Sequence, residues 1–148
     1  MRGGRASRAP RPTPTVSARM RSVRVRDTAP ELAVRKLLHS LGTRFRVRPT
    51  TLPGRPDITN GSKRWCIFVH GCFWHGHECW RGRPPKTNVS FWTQKITTNR
   101  ERDARKHDAL KTQGFRVLTV WQCELDDVAS LKSQLATFTR KAPVEHAA

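Results

Sequence analysis

Val34, Leu37, Leu38 and Leu41 are spaced i, i+3, i+4, i+7, which lays a single apolar stripe along one helix face. Thr28-Ala29-Pro30-Glu31 ahead of them has the form of a capping box, with the Glu31 carboxylate reaching back to the backbone N–H of Thr28, and Gly42 stops the helix. Phe45 and Val47 then suggest a short strand. Pro49, Pro53, Gly54 and Pro56 carry the chain round to Asp57-Ile58-Thr59, which pairs with Trp65-Cys66-Ile67-Phe68-Val69 as an antiparallel hairpin across Asn60-Gly61. From about Phe91 to Gln113 the apolar positions thin out to Trp92, Ile96 and Leu110, so a long helix with a wide wet face is expected, ending at Gly114. Phe115 to Trp121 reads as a strand, and Val128, Leu131, Leu135 and Phe138 mark a closing helix.

Helix, strand, hairpin, helix, strand, helix is the order of an α/β chain with a mixed sheet covered by helices. If strands 65–69 and 115–121 are the parallel pair of a right-handed crossover through the long helix, their C-terminal ends lie on one sheet edge. Cys72, His77 and Cys79 directly follow the first of these strands, and Cys123 directly follows the second. The topology thus brings a fourth ligand to three local ones, a closed Cys3His set of the kind that holds a structural zinc. Two other readings stand beside it. In one the four are scattered loop residues with Cys123 a small buried hydrophobe; in the other His75, between two ligands, binds in place of His77. Cys66, on an alternating strand, reads as a buried thiol.

Charge narrows the partner. The 148 residues carry 29 Lys+Arg against 11 Asp+Glu, a formal net charge of +18 and a sequence pI near 11.5, which favours a phosphate-rich partner. Nucleic acid fits better than an anionic membrane, because the apolar runs are only a few residues long. Residues 1–26 hold eight Arg with Pro10, Pro12 and Pro14 interleaved, too little apolar surface to fold alone. They read as a basic arm, or as a stretch before a true start at Met20. No apolar segment follows, so they are not a secretory signal, and a reducing cytoplasm is expected. Residues 27–142 would form one domain and 143–148 a flexible tail.

Phosphodiester hydrolysis needs a carboxylate for Mg2+, further oxygen ligands, and a group that moves a proton near neutral pH. Asp57 stands at a proline-fixed strand start, and its neighbours depend on hairpin register. A four-residue turn from Gly61 to Arg64 sets it opposite Phe68, beside Val69 and His70. A two-residue Asn-Gly turn sets it opposite Arg64. Only the first builds a metal site.

Several strings, taken together, resemble one family. Leu52-Pro53-Gly54-Arg55-Pro56-Asp57, then Val69-His70-Gly71-Cys72-Phe73-Trp74-His75 through Cys79, then Phe91-Trp92 with Asn99-Arg100-Glu101-Arg102-Asp103, then Arg116-Val117-Leu118-Thr119-Val120-Trp121, are similar to the very short patch repair (Vsr) DNA mismatch endonucleases, in order, from about Met20 to Leu125. The resemblance implies a restriction-endonuclease-like fold and Mg2+-dependent nicking of one strand, 5′ to the T of a T:G mismatch left by deamination of 5-methylcytosine. It implies Asp57 as metal carboxylate and the Val69 backbone carbonyl, where many relatives have Thr, as a second Mg2+ ligand. His75 would transfer the proton, His70 would support the scissile phosphate or metal waters, and Glu31, Asn99 and Asp103 would hold metal-bound water. Phe73, Trp74 and Trp92 would wedge into the duplex. A monomer acting on mismatched DNA, with a MutL-type repair protein as partner, completes the expectation.

Bland alternatives accompany these roles. Glu31 is explained by its capping box, Asp103 by an i, i+3 contact with Lys106, and Trp92 by burial in a core. Gly76 and Glu78 stand where relatives often carry more histidines, and neither is a required zinc ligand. Two other functions are open. A zinc-stabilised module that binds distorted duplex without cutting has no need of Asp57 with His75, and a nuclease of the same fold with another target differs only in base contacts.

Overall fold

The structure is a computed structural model that describes residues 26–141. The basic arm and the tail therefore lie outside the described residues, apart from Arg26. Helix α1 spans Ala29–Ser40, strand β1 Arg46–Val47, β2 Ile58–Asn60 and β3 Trp65–His70. Helix α2 (Val89–Thr112), strand β4 (Arg116–Trp121) and helix α3 (Val128–Arg140) follow. Two short 3-10 turns that the hydrophobic pattern does not announce, Trp80–Gly82 and Gln122–Asp126, follow β3 and β4. Both are held by loop chemistry, which has no apolar period.

The four strands lie in sequence order, with β1·β2 and β2·β3 antiparallel and β3·β4 parallel. Asn60 pairs with Trp65 and Ile58 with Ile67, so the β2–β3 turn has four residues and Asp57 arrives opposite Phe68. This is the register that builds a site. The parallel pair runs from Trp65·Arg116 to His70·Trp121, so β3 and β4 end side by side.

Alternation along β3 divides the core. Trp65 and Ile67 join Val34 and Leu38 of α1, Ile58, Val120, and Leu131 and Leu135 of α3. Cys66 and Phe68 face the other way, against Leu110 of α2 and Phe115. Helices α1 and α3 cover one face and α2 the other, with the sheet between. Only Leu110 of α2 is buried, as the sparse apolar pattern requires. Cys66 is fully buried, and burial pushes its thiol up to about 12.

One local expectation needs correcting. Thr28 does cap α1, its Oγ1 accepting from the N–H of Glu31 at 3.4 Å. The reciprocal half differs, because the Glu31 carboxylate accepts from the N–H of Asp27 at 3.1 Å and not from that of Thr28. Asp27 has a positive φ of 50°, which turns its own N–H inward. At the other end Gly42 (φ +68°) closes a Schellman turn, with its N–H donating to His39 and that of Thr43 to Leu38.

Candidate functional site

The sheet edge at the ends of β3 and β4 gathers the chemistry in three adjoining clusters. In the first, the ligand atoms of Cys72, His77, Cys79 and Cys123 lie within 4.8 Å of one another. Cys123 Sγ is 3.5 Å from His77 Nδ1. Sulfur and nitrogen ligands on one tetrahedral zinc, at about 2.3 and 2.1 Å, stand about 3.6 Å apart, so the spacing fits. Burial raises the Cys79 thiol, but hydrogen bonds involving His77, the Gly82 backbone, Cys72 and the Arg81 backbone outweigh it and bring it down to about 7. Burial, with Cys72 and Cys79 close by, pushes Cys123 up to about 12. Three thiolates crowd one another in this space unless a cation joins them, and their softness suits zinc. A Cβ on Gly82 would overlap the backbone carbonyl of His77, so the loop closes only with glycine there.

The second cluster is carboxylate and histidine. Asp57 Oδ2 accepts from the N–H of Val69 at 2.7 Å. The Val69 carbonyl points to the same side of the strand as its N–H, past the paired end of β2, so it too faces Asp57. These are hard oxygen donors of the kind Mg2+ takes, and Glu31, 4 % exposed, stands nearby. Burial, opposed by the Val69 N–H and helped by the Glu31 charge, raises Asp57 from 3.8 to about 6.

His70 and His75 stack at 3.8 Å with ring planes only 5° apart. His75 Nδ1 is 2.5 Å from Asp103 Oδ2, and His70 Nδ1 is 3.9 Å from the same oxygen. The ligand atoms of His70, His75 and Asp103 also lie within 4.8 Å of one another, but parallel stacked rings aim their in-plane lone pairs side by side, an arrangement that suits proton transfer better than chelation. Burial, with His75 next to it, lowers His70 to about 3, which keeps it neutral. Burial raises Asp103, but the His75 hydrogen bond, with the His70 and His75 charges behind it, wins and lowers it. An ionised Asp103 makes His75 Nδ1 the donor and leaves Nε2 as an acceptor.

In the third cluster Phe73, Trp74 and Trp92 meet at centroid distances of 5.2 to 5.8 Å, half-exposed between the thiol loop and the start of α2. Trp92 belongs to neither core cluster.

Not every expected residue has the same surroundings. The Asn99 amide donates to the Trp74 carbonyl at 2.9 Å, which ties the thiol loop to α2. Asp103 pairs with His75, and Lys106 contributes only a longer-range charge. His77 and not His75 stands among the thiols.

Three residues escaped the sequence. Trp121 stacks its face on His77 at 4.3 Å and meets His70 edge-on at 5.4 Å, which joins the thiol cluster to the histidine pair. The parallel-strand reasoning that found Cys123 extends to this neighbour. His107, one helical turn beyond Asp103, lies 6.2 Å from His70. Arg48 donates to Glu31 Oε1 at 3.1 Å and lies 3.7 Å from Asp57 Oδ1. Nothing in its local sequence marks it.

Comparison with known proteins agrees with this set of parts. The model of the family "DNA mismatch endonuclease Vsr" matches residues 13–81. The type II nicking enzyme V.XorIIP of Xanthomonas oryzae pv. oryzae is 53 % identical over 116 residues, 78 % of this chain and 85 % of the relative. The type II nicking enzyme V.NmeAIP of Neisseria meningitidis is 40 % identical, covering 82 % of this chain and 87 % of the relative. The DNA mismatch endonuclease Vsr of Escherichia coli K12 is 44 % identical, covering 83 % of this chain and 79 % of the relative. A DNA endonuclease is the class these findings define. Within that class, the chain belongs to the Vsr family of DNA mismatch endonucleases. Among the described residues no helix is long and apolar enough to cross a membrane.

Proposed function

We propose that this endonuclease nicks one strand 5′ to the T of a T:G mismatch arising from deamination of 5-methylcytosine, by Mg2+-dependent hydrolysis on a restriction-endonuclease-like fold. The observation that carries the reading is Asp57 fixed against the Val69 N–H at 2.7 Å, on the same sheet edge as a histidine oriented by a carboxylate. The names of the relatives, which include nicking enzymes as well as a mismatch endonuclease, support single-strand cleavage.

The residues divide the work. Asp57 and the Val69 carbonyl would hold Mg2+, which supplies charge to the scissile phosphate and lowers the pKa of a bound water. Asp103 fixes the His75 tautomer, and His75 Nε2 takes the proton from the attacking water or returns one to the leaving oxygen. His70, kept neutral by burial, buttresses His75 and presents its remaining edge to the phosphate. Glu31 acts through Arg48 and the water around Asp57. Asn99 positions the loop that carries His75 by holding the Trp74 carbonyl. Cys72, His77, Cys79 and Cys123 would bind a structural Zn2+, because a closed set of four leaves no position for water.

Recognition needs a second source, since phosphate contacts from a +18 chain give affinity without sequence. Phe73, Trp74 and Trp92 supply it by entering the stack. Unstacking costs a few kcal/mol per step, less at a mismatched pair, which favours T:G over T:A. The protein would act as a monomer in the bacterial cytoplasm, with a MutL-type repair protein as partner. The test is an end-labelled duplex with one T:G mismatch beside its T:A match, with Mg2+, for the native protein and Asp57→Ala. Mg2+-dependent cutting of the T strand alone, lost in Asp57→Ala, is expected. Binding without cutting would return the protein to the class of distortion binders, and equal cutting of both duplexes would remove mismatch specificity.

A further inference from the structure

Arg48 sits directly after β1, where the antiparallel register sets it opposite Asp57. Its backbone N–H donates to the Asp57 carbonyl at 3.1 Å, and its φ is +46°, a conformation that a non-glycine residue rarely holds. That turn aims the guanidinium between two carboxylates. One nitrogen, Nη2, lies 3.1 Å from Glu31 Oε1 and 3.7 Å from Asp57 Oδ1, the Asp57 oxygen that the Val69 N–H leaves over. Arg35 approaches the far side of Glu31, 3.5 Å from Oε2. The two carboxylate side chains are 5 % and 15 % exposed, so this balance is set largely out of water.

We propose that Arg48 is a resident counter-cation that competes with the catalytic divalent ion for Asp57 and Glu31. The inference rests on Asp57 being the metal carboxylate. Arg48 already offsets part of the charge of Asp57 and Glu31, and Arg35, shared between Glu31 and Asp27, offsets more of it, so a +2 ion entering the free protein meets less negative charge than the two carboxylates alone would present. The consequence is an endonuclease that holds its divalent ion weakly until a phosphate brings compensating charge, and that keeps its buried carboxylates paired in the meantime. When Asp57 is taken by the ion, the guanidinium is left beside the incoming phosphate, for which its planar donors are suited.

The test measures Mn2+ binding to zinc-retaining protein by electron paramagnetic resonance of the free ion, in the absence of DNA. Arg48→Gln is expected to bind Mn2+ about tenfold tighter than the native protein, the size of effect expected from removing one positive charge a few ångströms from the ion. Arg48→Lys should fall between, because its ammonium keeps the positive charge but sits one bond short of Nη2, the nitrogen that meets both carboxylates. Asp57→Asn should lose the binding altogether. Unchanged or weaker Mn2+ binding in Arg48→Gln, with binding lost in Asp57→Asn, overturns the competition and leaves the metal site intact. Mn2+ binding that survives in Asp57→Asn overturns the metal site itself. Should Arg48→Gln fail to fold, Arg48→Lys decides alone: affinity equal to the native protein's overturns the proposal.

Discussion

Asp57 should destabilise the protein it serves, and the effect can be measured without any substrate. Its carboxyl is raised from 3.8 to about 6, chiefly by burial. At 1.36 kcal/mol per pKa unit, keeping it ionised in the metal-free fold costs about 3 kcal/mol near neutral pH. Solvent reaching a side chain that is 15 % exposed trims this to about 2 kcal/mol. Asp57→Asn removes the charge and keeps an oxygen that can accept from Val69. The variant should therefore melt higher than the native protein at pH 8 in magnesium-free buffer, by about 8 °C at about 4 °C per kcal/mol for a domain of this size. A group whose proton affinity rises on folding gives its stability below its unfolded value, and that stability is lost as pH rises through its folded value. The gap between the two proteins should thus be small near pH 4, open between pH 4 and about 6, and stay level above. His70 moves the other way, since its lowering to about 3 removes stability as pH falls below its ordinary value, but it is present in both proteins and cancels in the difference. Differential scanning calorimetry across pH 4.5 to 8 reads the result, with strong chelators left out because they would strip zinc as well. Equal melting temperatures at pH 8, or a gap that does not shrink on acidification, would refute the placement of Asp57 as a carboxylate whose burial outweighs its partners.

Other expectations concern the remaining clusters. Gly82→Ala should abolish zinc retention, measured by metal analysis of the purified protein, because its Cβ overlaps the His77 carbonyl; full zinc content would show that the loop tolerates the change. Asp103→Asn should slow single-turnover nicking by about 100-fold, within the range of general acid–base effects, while zinc content and duplex binding hold; a rate within about twofold of native would remove the His75–Asp103 pair from the chemistry. Trp74→Ala should narrow the affinity ratio of T:G over T:A duplex by about tenfold, near the 1–3 kcal/mol typical of base stacking, with little effect on zinc. Removing zinc should alter Trp121 fluorescence, because His77 stacks on that ring at 4.3 Å; an unchanged spectrum would separate the ring from the thiol cluster.

Local chemistry determined most of the frame. Apolar spacing located α1, α2, β4 and α3 to within about two residues, because helix and strand periods are written directly in sequence. The order of strands, with the rule for parallel crossovers, placed Cys123 beside Cys72, His77 and Cys79 although at least 44 residues separate it from each of them. What only the tertiary structure decided is which polar groups share space. The hairpin register was open between two turns, and the four-residue one brought Asp57 to Val69. Glu31 satisfies the N–H of Asp27 and meets Arg48, a partner 17 positions away that no capping rule could name. Asp103 could have served Lys106 on its own helix, yet it reaches His75 across to the loop. Hydrophobic periodicity fixes elements because burial is averaged over many positions. A charge or hydrogen bond acts within a few ångströms, so its partner is settled only when the layers close.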